Sequence, residues 1–119
     1  MIEIWLNPAC SKCRTAVSEL DASGKEYVVR RYLEQPPTVA ELEDVLARLG
    51  LEPWDITRTA EASKLGVTLP AKDDAHRHAW LEAMVDQPRL IQRPIITATD
   101  GTTVIGRDPA SVARVIDAG

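Results

Sequence analysis

Apolar positions recur every second residue at the start of the chain and every third or fourth soon after. Ile2, Ile4 and Leu6 alternate with Glu3 and Trp5, which predicts a strand over 2–6. Asn7-Pro8 breaks that strand. From Ser11 the spacing turns helical: Ala16, Val17 and Leu20 share a face, and Gly24 is a stop. Tyr27 to Tyr32 is rich in β-branched and aromatic residues and predicts a second strand. Thr38 opens Thr-Val-Ala-Glu, a capping box with Glu41. Val39, Leu42, Val45, Leu46 and Leu49 line the helix that follows, and Gly50 closes it. Leu51 to Arg89 reads as helical and polar. Its clearest part runs from Asp73 to Val85, where Trp80, Leu81, Met84 and Val85 supply a face and Pro88 ends it. Two short β runs, 95–98 and 103–105, flank Asp100-Gly101, a strong hairpin signal. Asp108 can cap a last helix, with Pro109 at its first position and Val112, Val115 and Ile116 as its buried stripe.

The order is β-α-β-α, a helical insertion, then β-β-α. Strands joined by a crossover helix run parallel, whereas hairpin strands run antiparallel. The expectation is therefore an α/β, thioredoxin-like plan: a four-stranded mixed sheet flanked by helices, with an insertion at about 51–89 before the C-terminal hairpin. No repeat, low-complexity segment or linker interrupts it, so one domain over 1–119 is expected. The chain has 119 residues, 45% of them apolar, enough for a core that needs no disulfide or metal. The N-terminal apolar stretch is short and lacks a cleavage pattern, and nothing approaches a membrane span. A cytoplasmic protein is expected. A net charge of −4 argues against a nucleic-acid partner and leaves room for a local basic pocket.

The only two cysteines, Cys10 and Cys13, lie in the stretch NPACSKCR, at the junction of the first strand and helix. A helix entrance offers unpaired N–H groups and the positive end of the helix dipole, and both favour a thiolate. Cysteines so placed fall from about 8.5 to a pKa of roughly 3.5–7.5. The same N–H groups cradle an oxyanion. One helical turn separates Cys13 from Cys10, so the two can face each other. An inert pair and a metal site are the alternatives. Zinc wants about four ligands, and His76 and His78 are the only further Cys or His side chains. They sit in a polar helical stretch where two exposed histidines are the simpler reading, so no metal is expected. Trp5, Trp54 and Trp80 are scattered, which suits packing better than a stacking platform.

Three separated motifs now combine. Asn7-Pro8-Ala9-Cys10 with Arg14, then Tyr32-Leu33-Glu34-Gln35-Pro36-Pro37, then Ile91-Gln92-Arg93-Pro94-Ile95-Ile96, resemble the glutaredoxin-coupled arsenate reductases over essentially the whole chain. That family has a thioredoxin-like fold with a helical insertion. The resemblance implies that Cys10 is the nucleophile and that Arg58, Arg93 and Arg107 hold the oxyanion. It also implies that Pro94 follows a cis peptide bond. The residue types suit those roles: a guanidinium matches a tetrahedral oxyanion in a bidentate way. Two positions depart from the pattern. Leu6 stands where family enzymes often carry a histidine that helps activate the cysteine, so activation falls to the helix entrance and to Arg14 or Lys12. Cys13 stands where serine is common; two roles are open to it, supporting the thiolate as the serine hydroxyl does, or resolving it by closing a Cys10–Cys13 disulfide. A cysteine there also occurs in the Spx-type transcriptional regulators, which bind RNA polymerase and use the pair as a redox switch.

The leading expectation is an arsenate reductase. The Cys10 thiolate attacks arsenate, and glutathione or an equivalent external thiol, with a glutaredoxin-type partner, completes reduction to arsenite. No bound cofactor or metal is implied. The alternatives are an Spx-type redox sensor and a general thiol–disulfide oxidoreductase that uses Cys10 and Cys13.

Overall fold

A computed structural model describes all residues, 1–119. The chain divides into two compact units. The first joins Met1–Gln35 to Arg93–Gly119; the second is Pro36–Gln92.

The first unit holds the sheet. Its strands are β1 (Ile2–Leu6), β2 (Tyr27–Arg31), β3 (Ile95–Thr97) and β4 (Thr103–Ile105), in the order β2-β1-β3-β4. β1 pairs parallel with β2, from Ile2 opposite Tyr27 to Leu6 opposite Arg31. It pairs antiparallel with β3, which pairs antiparallel with β4. The sheet is thus mixed, as the connections predict. Helix α1 (Ser11–Ser23) links β1 to β2, and α5 (Pro109–Ala118) follows β4. The pleat sends Ile2, Ile4 and Leu6 to one face, where they pack with Ala16 and Leu20 of α1 and Val112 and Val115 of α5. Truncating a fully buried member such as Leu20 to alanine costs about 2–5 kcal/mol. Asp108 caps α5 by accepting from the Ser111 N–H at 2.8 Å, and Pro109 takes the first turn, as the sequence indicates.

β2 is an edge strand, and this explains an oddity. Its valines, Val28 and Val29, are 40% and 45% exposed despite a strongly apolar run. The strand also stops at Arg31, one residue earlier than the pattern suggests. Tyr32 lies beyond the ladder and is 1% exposed.

The second unit is helical and wider than the expected insertion. It includes α2 (Val39–Leu49) together with α3 (Thr59–Leu65) and α4 (Arg77–Asp86). The predicted capping box on α2 is present. Thr38 Oγ1 accepts from the Glu41 N–H at 3.1 Å, and Glu41 Oε1 accepts from the Thr38 N–H at 3.0 Å. Such a cap contributes about 1 kcal/mol. Leu42, Val45 and Leu46 form the buried face of α2; Trp80, Leu81 and Met84 form that of α4. α4 begins at Arg77 rather than Asp73. Asp73 instead caps a 3₁₀ turn at Asp74–His76 through the His76 N–H, and this tighter turn precedes the helix. Trp54 meets Trp80 edge to face at 6.1 Å, and the Trp80 indole donates to the Ala71 carbonyl at 2.9 Å. Both tryptophans therefore pack, as the sequence suggests. No helix is long and apolar enough to cross a membrane.

Candidate active site

The C-terminal end of β1 sets the site. After Leu6 the chain turns on Asn7, whose side-chain oxygen accepts from the Ala9 N–H at 3.0 Å and whose carbonyl accepts from the Cys10 N–H at 3.0 Å. This double bond to one asparagine fixes the loop and places Cys10 immediately before α1, in extended conformation. Arg14 Nη1 reaches back to the Pro8 carbonyl at 3.4 Å and braces the same loop. Leu6 is buried and apolar, so it offers Cys10 no proton acceptor.

The two cysteines are driven in opposite directions. Partial burial alone would raise Cys10. The Arg93 guanidinium, the Cys13 N–H and thiol, and the Lys12 N–H together outweigh burial and bring it down to about 7. Cys13 is 1% exposed. Burial pushes it up, the Asn7 N–H resists, and the neighbouring Cys10 charge adds to the rise, leaving it at about 11. Around neutral pH Cys10 is therefore about half thiolate while Cys13 stays a thiol, with the Cys13 S–H in reach of the Cys10 sulfur.

Arg93 comes from the other side of the sheet. The Arg93–Pro94 peptide is cis. Burial works against the arginine's charge, but the Cys10 sulfur and the Tyr32 hydroxyl favour it and prevail, so it stays firmly protonated. Its Nε is buried without a hydrogen-bond partner. The neighbouring strand steadies its backbone. Arg107 Nη1 donates to the Arg93 carbonyl at 2.8 Å, and the Gly106 N–H donates to the Pro94 carbonyl at 2.8 Å. Gly106 has no room for a side chain: a Cβ there would stand 2.6 Å from Ile96 Cδ1 and 3.4 Å from Pro94 Cγ. A small cavity of about 110 Å³ lies beside Arg107, lined also by Lys12, Thr15 and Asp108.

The structure thus gathers Cys10, Cys13, Arg14, Arg93, Pro94 and, through the Arg93 carbonyl, Arg107. Arg58 belongs to the helical unit. It precedes α3, where its guanidinium lies 3.8 Å from Glu61 and donates to the Arg89 carbonyl at 3.3 Å. His76 pairs with Asp73 at 2.6 Å and His78 with Glu82 at 3.0 Å, each within its own turn of chain. No cluster of three or more His, Cys, Asp or Glu stands where it could hold a metal. Two contributors escape a reading of the sequence. Tyr32 enters that reading only as a strand end and within the Tyr32–Pro37 motif, and Gly106 does not enter it. Tyr32 lies just past β2, where its ring is buried.

Comparison with known proteins shows which family the chain resembles. Residues 5–115 match the model of the ArsC family. A protein of Streptomyces viridochromogenes named "Uncharacterized protein in glnII region" is 60% identical over 113 residues, covering 93% of this chain and 95% of the relative. An arsenate reductase of Neisseria meningitidis is 34% identical and covers 97% of each chain. The solved arsenate reductase from Vibrio cholerae superposes with a TM-score of 0.78 at 32% identity, covering 96% of each. On this match of sequence, fold and extent, the chain belongs to the ArsC family.

Proposed function

We propose that the protein is an arsenate reductase-type oxidoreductase that draws its electrons from an external thiol. The observation that carries this reading is the pairing of a partly exposed Cys10, lowered to about 7, with the guanidinium of Arg93 at a helix entrance. A reactive sulfur and a cationic anion-holder thereby share one spot. The buried, unpaired Nε–H of Arg93 supports it further, since an open buried donor costs about 1–3 kcal/mol and an oxyanion would fill it.

The Cys10 thiolate attacks arsenic. A sulfur–arsenic bond forms and one arsenic–oxygen bond breaks, the oxygen leaving as water after protonation. Arg93, Arg107 and the first N–H groups of α1 offset the charge on the remaining oxygens. Two electrons then come from two external thiols of the glutathione class, which end as one disulfide. Arsenic leaves as arsenite and Cys10 returns as a thiol. A glutaredoxin-type partner acts by exchange: it takes the external thiol from the mixed disulfide formed with Cys10 and is itself released by the second external thiol. No metal or bound organic group enters the scheme.

Cys13 serves here as a hydrogen-bond donor to the Cys10 thiolate, in the place of a serine hydroxyl. In the resting pair, burial and the Cys10 thiolate push Cys13 up to about 11 and keep it a thiol.

The test is a coupled assay with arsenate, a low-molecular-weight thiol and a glutaredoxin system. Turnover is expected with two thiols consumed per arsenite, and its loss in Cys10→Ser. No turnover under any thiol system, or full turnover in Cys10→Ser, sinks the reading.

A further inference from the structure

The proposed reaction asks one sulfur to carry arsenic, yet two stand at the entrance of α1. Cys10 is the N-cap residue, and the Arg14 N–H donates to the Cys10 carbonyl at 3.1 Å, the helical bond that opens α1. Cys13 is therefore the third residue of the helix, one turn from the cap. Thr38 and Glu41 hold the same two positions on α2, and there each side chain reaches the other residue's N–H, at 3.0 and 3.1 Å. Side chains so placed share one spot, with Cβ atoms about 5–6 Å apart. One atom set between two sulfurs closes such a gap. Both cysteines are free thiols. Cys13 is 1% exposed, but it also lines a cavity of about 360 Å³ with Leu6, Pro8, Arg14 and Val17. The buried cysteine thus borders open space.

Two thiols form a chelating pair for a thiophilic centre that asks for few ligands. Zinc takes about four, and no group of three or more His, Cys, Asp or Glu gathers to supply them. Trivalent arsenic takes three. The pair supplies two soft sulfur donors. The cavity beside Cys13 has room for the third ligand, a hydroxyl or an external thiol.

We propose that Cys10 and Cys13 form a two-sulfur site for trivalent arsenic, which holds arsenite as a cyclic dithiolate. Arsenous acid carries three hydroxyls. Each cysteine displaces one: a sulfur–arsenic bond forms, an arsenic–oxygen bond breaks, and the thiol proton leaves with the hydroxyl as water. Two waters are released, arsenic stays trivalent and no electron moves. External thiols reverse the capture by exchanging onto arsenic and returning a proton to each cysteine. The proposal rests on the arsenate reading for the identity of the ligand, and deepens it by saying where the product lodges.

The experiment mixes the reduced chain with arsenite alone. It involves no arsenate and no turnover, so its failure and the failure of the arsenate reading are distinguishable. Unbound arsenite is removed, bound arsenic is counted by intact-mass spectrometry, and remaining thiols are counted with a chromogenic disulfide. One arsenic per chain and the loss of both thiols are expected. Cys13→Ser keeps a single sulfur. It is expected to need at least about 10²-fold more arsenite for half-occupancy, because the second bond is no longer intramolecular. A native chain that holds no arsenic, that loses only one thiol, or that binds no more tightly than Cys13→Ser overturns the proposal. The thiol count is made on the native chain, so it decides the matter without the serine variant.

Discussion

In the helical unit, Arg77 lies against the carboxylates of Glu43 and Glu52, and Arg58 takes Glu61 and the Arg89 carbonyl. In the sheet unit, Arg93 faces a thiolate and a tyrosine hydroxyl and keeps an unfilled, buried Nε–H. The side chain is the same and the partners differ. Where carboxylates already answer the guanidinium, it ties secondary structure together. Where a sulfur and an unfilled donor remain, the proposed reading gives the guanidinium an anion to hold. Neighbourhood rather than residue type separates structural from chemical arginines in this chain.

The sharpest way to break that contrast is Arg93→Gln. Losing the guanidinium is expected to lower kcat/KM for arsenate by about 10²–10³. It should also raise the Cys10 midpoint from about 7 toward the ordinary cysteine value, because the first-ranked influence lowering it is gone. A steady-state assay paired with an alkylation profile checks both. Gly106→Ala attacks the same segment from beneath. The added methyl meets Ile96 and Pro94, and such overpacking costs about 1–3 kcal/mol, readable in urea unfolding. Arg58→Gln comes next. Losing a guanidinium already answered by Glu61 and the Arg89 carbonyl should cost about 1 kcal/mol of stability or less, with arsenate turnover and the Cys10 midpoint kept. An effect as large as that of Arg93→Gln would erase the distinction between the two. Smallest is Arg77→Ala, where two partly exposed ion pairs are worth less than about 1 kcal/mol together and arsenate turnover should not change.

Much of the sheet unit is legible in the sequence because its signals are local. Alternation over Ile2–Leu6, the Asp100-Gly101 turn and the Asp108-Pro109 start of α5 each declare themselves within a few residues. Cys10 at the strand–helix junction follows from the same reading. Long-range placement is less visible. Tyr32 looks like the end of a strand yet lies past the ladder and is buried, and Gly106 looks incidental until the Ile96 and Pro94 side chains close over it. In the helical unit the difficulty is different. The stretch around α3 and α4 is polar and weakly patterned, so tertiary packing on Trp80 and Met84 sets the boundaries, and the Asp73 cap diverts the first turn into a 3₁₀ form. The grouping of α2 with that unit leaves no mark in a one-dimensional pattern.

The most direct test of the account is to follow alkylation of each cysteine separately across pH in the native chain. The sign is set by the thiolate: reactivity rises as pH climbs through each sulfur's pKa. Cys10 should show a midpoint near 7, while Cys13, at about 11, stays unmodified through neutral pH. A Cys10 midpoint near that of a free cysteine, or two cysteines that titrate together, would contradict the claim that Arg93 and the helix entrance make one reactive sulfur out of the pair.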